Sequence, residues 1–286
     1  LLAGEYAVLG RLVGRAEDGD DVGALAPFYG LGRLTSALLG AATVPLVWWL
    51  GTRAYNPTVG WLAALFLAVA FMPVRESHFA TNDAAVTFLT VVAVGLSLAV
   101  SETATRAGSV RAGLATGLAA ATKYTGALLV VPLAAAHLWR AVSDRQRGRV
   151  PTIAASLAVA VLATVLAFLA GNPYTVLAPD LFLEDVGHLI GQGQQGYKGQ
   201  ILDPAGGWIF FLKSLRWGLG PLLFALCVAG VVRALIRPSR ADVVLASLAL
   251  AVYVFHARQL MFFARFILPA VPVLVVLLIV AGPLQE

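Results

Sequence analysis

The sequence predicts an all-α, polytopic bundle of transmembrane helices, with about nine membrane segments in one integral-membrane domain over residues 1–286. Three observations predict it. Hydrophobic residues make up 59% and charged residues 12%, with a mean hydropathy of +0.84; a soluble domain carries about twice that charged fraction. Apolar runs of about 15–20 residues recur along the whole length, each near the length that crosses hydrocarbon as a helix. None shows the strict alternation of a barrel strand, so helices are the remaining way to pair every backbone group in lipid.

The single-helix spans fall at 34–50, 58–74, 84–100, 151–170, 218–236, 241–257 and 262–282. Segment 111–142 is read as a helical hairpin. Arg106 and Arg111 precede it and Arg140, Arg145, Arg147 and Arg149 follow it, so both ends face the cytoplasm. The first arm, 112–122, would reach about 16 Å, half the hydrocarbon core. Lys123 then lies at the apex, below the outer surface. A lysine in bare lipid costs about 2.5–3.5 kcal/mol or more, so a protein-lined cavity is expected around it. With that hairpin, Arg53, Arg233, Arg237 and Arg240 also fall on the cytoplasmic side. The outer side receives 1–32 as part of a first outer loop, then 75–83, the apex, a long loop at 171–217 and the turn at 256–261. Within the long loop, WIFFLKSLRW, with Lys213 and Arg216, reads as an interfacial helix. The arginine of the short loops accounts for the net charge of +5, and nucleic acid is not expected as a partner. Cys227, the single cysteine, can form no intrachain disulfide. Walker, HExxH, CxxC and GxSxG motifs are absent from the sequence.

Most of the fifteen acids fall on the outer side, where the chemistry is sought. In RESHFATNDAA, residues 75–85, Asp83 stands at the start of a helix and is either a cap or a substrate contact. Arg75, Glu76 and His78 form either an interfacial salt-bridge cluster or an anion and sugar site. In GLAAATKYTG, Lys123 needs a counter-anion, which Asp83, Glu76 or a lipid phosphate could supply; Tyr124 beside it reads first as an interfacial anchor. Asn172 ends a helix ahead of Pro173, and Asn172 and Tyr174 are candidates to face the cavity. Arg258 and Arg265 lie seven apart and share a face if one helix carries both, as a second phosphate clamp or as snorkelling headgroup anchors. Pro269 and Pro272 should bend that last span. AEDGDDVG, 16–23, reads as a solvated acidic loop and not as a metal site. GQGQQGYKGQ, 191–200, reads as flexible, or as a mobile lid.

The order of these motifs, SHFATND, then GLAAATKYTG, then GNPY, then FARFILPAVP, resembles the bacterial family 39 glycosyltransferases. These belong to the clan of protein O-mannosyltransferases and lipid A aminoarabinose transferases, with the GT-C fold. The resemblance runs over nearly the whole chain. It implies a membrane glycosyltransferase that takes a sugar from a polyprenyl-phosphate donor and transfers it, with inversion, to a lipid, glycan or protein acceptor. The implied location is the bacterial inner membrane, multi-pass, with the active site facing the periplasm. In the resemblance Arg75, His78 and Asp83 match the second outer-loop motif, Lys123 and Tyr124 the hairpin motif, and Arg265 the basic position of the last span. Together with the reading of the residues above, the donor phosphate is assigned to Arg75, Lys123, Arg258 and Arg265, and substrate positioning to Glu76, His78, Asp83, Tyr124, Asn172 and Tyr174. No cofactor is implied, and a divalent metal is left open. The family's catalytic acid belongs to an Asp-Glu pair soon after the first span. Glu5, Glu17, Asp18, Asp20 and Asp21 match no such motif, so the base is expected upstream of Leu1, in a longer chain. A transporter or flippase, or a non-catalytic member of the fold, is the competing reading. The transporter would predict inverted repeats and charges near the midplane.

Overall fold

The computed structural model describes residues 22–196 and 206–279, and no strand occurs among them. Glu5, Glu17, Asp18, Asp20 and Asp21, and residues 197–200 of the glutamine-rich stretch, lie outside the described residues. Five described segments are long and apolar enough to cross a membrane: Pro27–Ala54, Asp83–Thr103, Tyr124–Ser143, Val150–Gly171 and Arg240–Ala257. Shorter apolar helices lie at Pro57–Val69, Pro221–Ile236 and Ala264–Ile279. The chain is a multi-pass membrane protein.

The first helix, α1 (Val22–Ala54), begins well before the expected residue 34, because VGALAPFYGL extends the apolar run. The expected span 58–74 is two helices. Asn56 accepts from Val59 N–H at 2.9 Å and starts α2 (Pro57–Val69). The chain then turns extended at Ala70 (φ −69°, ψ 132°) before α3 (Phe71–Glu76). Pro73 explains the break: in a continuous helix its ring would meet the carbonyl four residues back and offer that carbonyl no N–H. Next come α4 (Asp83–Thr103) and α5 (Arg106–Thr122), joined by Ala104 in the left-handed region at φ 46°.

The hairpin is present, with Lys123 extended at its apex (φ −155°, ψ 130°). Its second arm is a 3-10 turn, Tyr124–Leu129, running into α6 (Val130–Ser143). The first arm is longer than expected. Thr105 Oγ1 accepts from Gly108 N–H at 3.2 Å and starts α5 at Arg106, giving 17 residues, about 26 Å of rise, in place of half a membrane. This arm packs on α7 (Val150–Gly171). Gly113 and Gly117, a small-xxx-small pair, make the approach possible: a Cβ on either would sit 2.2 Å from a carbonyl oxygen of α7.

The long outer loop is largely helical. A single turn, Tyr174–Leu177, precedes α8 (Pro179–Gln195), so residues 191–195 of the expected flexible stretch are ordered as helix. The expected interfacial helix is α9 (Gly206–Leu219), and one of its faces enters the core: Phe211 is fully buried while Trp217 is 76% exposed. Gly220, at φ 81°, separates it from α10 (Pro221–Ile236). The last described elements are α11 (Arg240–Ala257), a 3-10 turn at Ala264–Ala270 and α12 (Val271–Ile279). Arg258 and Arg265 therefore do not share a helix face. The helix ends before Arg258 and the chain passes through extended Phe263, with Leu260 N–H donating to Gly193 O at 2.7 Å.

Every residue of α12 is buried, as is most of α4, while α7 exposes Leu162, Val165 and Leu166. Apolar exposure on peripheral helices suits lipid contact. At one end of the bundle, Glu102 joins Arg53 (2.6 Å) and Arg240 (2.7 Å). Buried Asp144 meets Arg140 (2.6 Å) and Arg147 (3.0 Å). Asp242 binds Arg233 and Tyr55, both at 2.5 Å. The opposite end carries the candidate site.

Candidate functional site

Two short connections bring the charges together. The loop between α3 and α4 is pinned by Ser36 Oγ donating to Thr81 O (3.1 Å) and Asn82 Nδ2 donating to Thr122 O (3.0 Å). The second bond ties this loop to the residue before Lys123. Asp83, 1% exposed, then receives Lys123 Nζ on Oδ1 at 2.5 Å, and Arg265 Nε lies 3.5 Å from Oδ2. The capping role considered for Asp83 is replaced. It is the first residue of α4, not its cap, and two cations are stronger partners for a carboxylate than backbone N–H groups. Lys123 also sits over the Phe266 ring (4.8 Å), and Arg265 over that of Phe263 (4.9 Å).

Glu76 is buried beside this group. Its partner is Arg75, at 2.9 Å, whose own side chain is half-exposed over Phe79. Burial pushes the Glu76 carboxyl above the usual range, opposed by the Arg75 charge and assisted by that of Asp83.

Lys123 faces a cavity of about 1570 Å³. Its walls are mostly apolar and aromatic, among them Leu128, Val165, Phe168, Phe182, Ile190 and Phe266. Polar residues on the wall include Lys123, Arg258, Gln259, Gln194, His256, Tyr124, Thr125 and Thr164. Tyr124 packs against Phe168 and Phe182, at ring distances of 6.5 and 6.2 Å, so it is a wall residue. The α8 helix forms one side, held by Gly193 against Gln259 and Leu260. A second, smaller cavity of about 490 Å³ is lined by Ser77, His78, Thr43, Thr87, Ala84 and Pro272, among others.

The sequence-predicted residues thus divide. Lys123, Asp83 and Arg265 form one ion-paired group. Tyr124 and Arg258 share the large cavity with Lys123. Arg75 and Glu76 pair with each other behind it. His78 faces the small cavity and bonds Val74 O through Nδ1 (2.7 Å). Asn172 and Tyr174 line neither cavity: Asn172 Nδ2 donates to Ala121 O at 3.3 Å, tying α7 to the hairpin, and Tyr174 is 72% exposed. Sequence reasoning missed His256, Gln259, Phe168, Phe182 and Phe266. Among the described residues no cluster of His, Cys, Asp or Glu could hold a metal ion.

A profile of the family described as dolichyl-phosphate-mannose-protein mannosyltransferase matches residues 18–178. Among solved structures, ArnT from Cupriavidus metallidurans bound to undecaprenyl phosphate is similar at a TM-score of 0.66 and 21% identity, over 88% of this chain and 45% of that one. The same protein in the apo state gives a TM-score of 0.58 at 21% identity, over 88% of this chain and 44% of that one. The Archaeoglobus fulgidus oligosaccharyltransferase, tethered with an acceptor peptide containing the NVT sequon, gives 0.56 at 16% identity, over 98% and 40%. These likenesses establish a shared fold, of the GT-C type the sequence resembles. The chain spans less than half the length of each of these structures. No relative was found among curated proteins.

Proposed function

Given that the chain belongs to the dolichyl-phosphate-mannose-protein mannosyltransferase family, we propose that it forms the lipid-phosphate site of a membrane glycosyltransferase. The donor is a polyprenyl-phosphate-linked sugar, and the sugar passes with inversion to an acceptor hydroxyl or phosphate on the outer face of a bacterial inner membrane. One observation carries this reading: Lys123, fixed by Asp83, stands on the wall of an apolar cavity of about 1570 Å³. A polyprenyl phosphate is a long hydrocarbon with one anionic head. It needs an apolar chamber for the first and fixed cations for the second.

The chemistry follows from the charges. As the glycosyl–phosphate bond breaks, negative charge grows on the departing phosphate, and preorganised cations in a poorly hydrated site lower that barrier. Lys123 has hydrogens beyond the one given to Asp83, and Arg258 adds a second charge on the same wall. Arg265 reaches the group through the other Asp83 oxygen. Asp83, with each oxygen engaged by a cation, orients Lys123 instead of taking a proton. The attacking group needs a proton acceptor, and we assign that role to no described residue.

Lys123→Ala should lower sugar transfer from a polyprenyl-phosphate donor by about 100-fold or more, measured in nanodiscs, with the melting profile kept. Unchanged turnover would remove the site. Sidedness has its own test. An Arg147→Cys variant, at an exposed position on the arginine-rich end, should react with an impermeant maleimide only from the cytoplasmic side; ready labelling of intact cells would invert the topology.

A further inference from the structure

The chain has four histidines, and three have hydrogen-bond partners within the fold. His137 pairs with Ser109 Oγ (3.0 Å) and Leu133 O (2.9 Å), His78 with Val74 O, and His188 with Gln192 (2.8 Å). His256 differs. It is 3% exposed, in the last turn of α11, and its ring stands among Phe211 (5.9 Å), Phe255 (5.1 Å) and Phe266 (5.2 Å). Among the described residues no group hydrogen-bonds its ring nitrogens. Its ring nitrogens are not among the enclosed polar side-chain atoms without a partner, so they border open space, and a polar edge facing open space inside an apolar shell calls for a reason.

The reason is in the wall it occupies. His256 lines the large cavity together with Lys123, Arg258 and Gln259. Its ring and the Lys123 ammonium both rest on Phe266. Its ring also borders a void of about 10 Å³ with Thr90 and Thr125, too small for a lipid headgroup, so the large cavity is the side from which a phosphate can come. The carbonyl end of α11 repels an anion, so a side-chain donor is what makes an anion welcome there. We infer that His256 is a ligand-binding residue whose ring N–H donates to an oxygen of the lipid-linked phosphate held by Lys123. This inference rests on the lipid-phosphate reading above and adds to it a neutral donor alongside the two cations.

The test is undecaprenyl phosphate binding to the purified protein in detergent, with inorganic phosphate and undecaprenol as separate probes. His256→Phe keeps the ring packing and removes the nitrogens; it should weaken undecaprenyl phosphate binding by about tenfold or more. His256→Gln, which keeps a donor, should stay within about threefold of wild type. In wild-type protein labelled with 15N-histidine, the His256 resonance should move on adding undecaprenyl phosphate and stay still with undecaprenol or inorganic phosphate. Wild-type affinity in His256→Phe, or an unmoved His256 resonance, overturns the inference. If Lys123→Met loses binding in that case, the phosphate site stands without His256; if Lys123→Met also binds normally, the proposed function itself falls. A shift with inorganic phosphate alone would make this a free-anion site and overturn the lipid assignment. Should His256→Phe fail to fold, the wild-type resonance still decides.

Discussion

Asp242 and Asp83 are both almost fully buried at helix starts, and each is held by an arginine and at least one further donor. Their surroundings differ. Asp242 accepts from Arg233, from the Tyr55 hydroxyl and from Ser239 N–H at 2.7 Å, the last completing a capping box. Every partner belongs to a helix end or connection, and the network closes on itself. Asp83 instead holds Lys123, whose remaining hydrogens face a cavity. The first acid joins secondary structure elements to one another. The second joins them and leaves a cation available. The same kind of buried pair serves fold at one end and ligand at the other, and what separates them is whether the cation has spare donors and somewhere to aim them.

The largest difference should come from breaking the two pairs in parallel. Asp242→Ala leaves Arg233 and the Tyr55 hydroxyl without their acid, and should cost about 3–5 kcal/mol of stability, read by thermal or denaturant unfolding. The surviving folded fraction should transfer sugar normally. Asp83→Ala should do the reverse. Arg265 is 40% exposed and Lys123 borders the cavity, so water can replace much of what is lost. Its stability cost should be about 1–2 kcal/mol, with turnover falling by about 100-fold. Equal losses of stability and activity in both variants would erase the distinction.

The pairing at the site was legible in the sequence because physics left few options. A lysine flanked by apolar helices needs an anion, and Asp83 and Glu76 were acids of the outer loop 75–83 on the same side. Helix existence was legible for a similar reason: long apolar runs in α4, α7 and α11 admit one structure. Breaks inside apolar runs were not. Pro73 divides 58–74 without changing hydropathy, whereas the end of α11 falls at the expected turn 256–261, where His256, Arg258 and Gln259 mark it. The cavity wall was also hidden. Nothing in the sequence singles out Phe168, Phe182 and Phe266, since an aromatic ring has the same sequence signature against lipid, core or void. His256 was obscured by its setting, a lone polar residue at the end of an apolar helix.

An intermediate effect should come from the hairpin's support. Lys123 is aimed by α5, and α5 is seated on α7 by two glycines. Gly117→Val places a Cβ 2.2 Å from Thr164 O, so the helices must separate. Overpacking of this kind costs about 1–3 kcal/mol, and the displaced apex should lower turnover more than Gly113→Val does, because Gly117 is nearer Lys123. Equal turnover in the two variants would show that apex placement does not depend on this seam.

The smallest effect separates Glu76 from both kinds of acid. Its folded-state affinity for a proton is raised, first by burial and then by Asp83, with Arg75 as the main opposing charge. Above the ordinary carboxylate range the unfolded chain has released this proton while the folded chain still holds it. The folded state then binds more protons, so stability falls as pH rises from the unfolded pKa through the raised one. Glu76→Gln removes the titration and keeps an oxygen for Arg75. Wild type should therefore lose stability between pH 4 and pH 8 that Glu76→Gln does not lose, read as a difference in melting temperature across that range. A wild type that gains stability relative to Glu76→Gln over the same interval would place Glu76 with Asp242 as a true clamp. The expected loss instead marks it as an acid kept buried at a cost beside the Lys123 group.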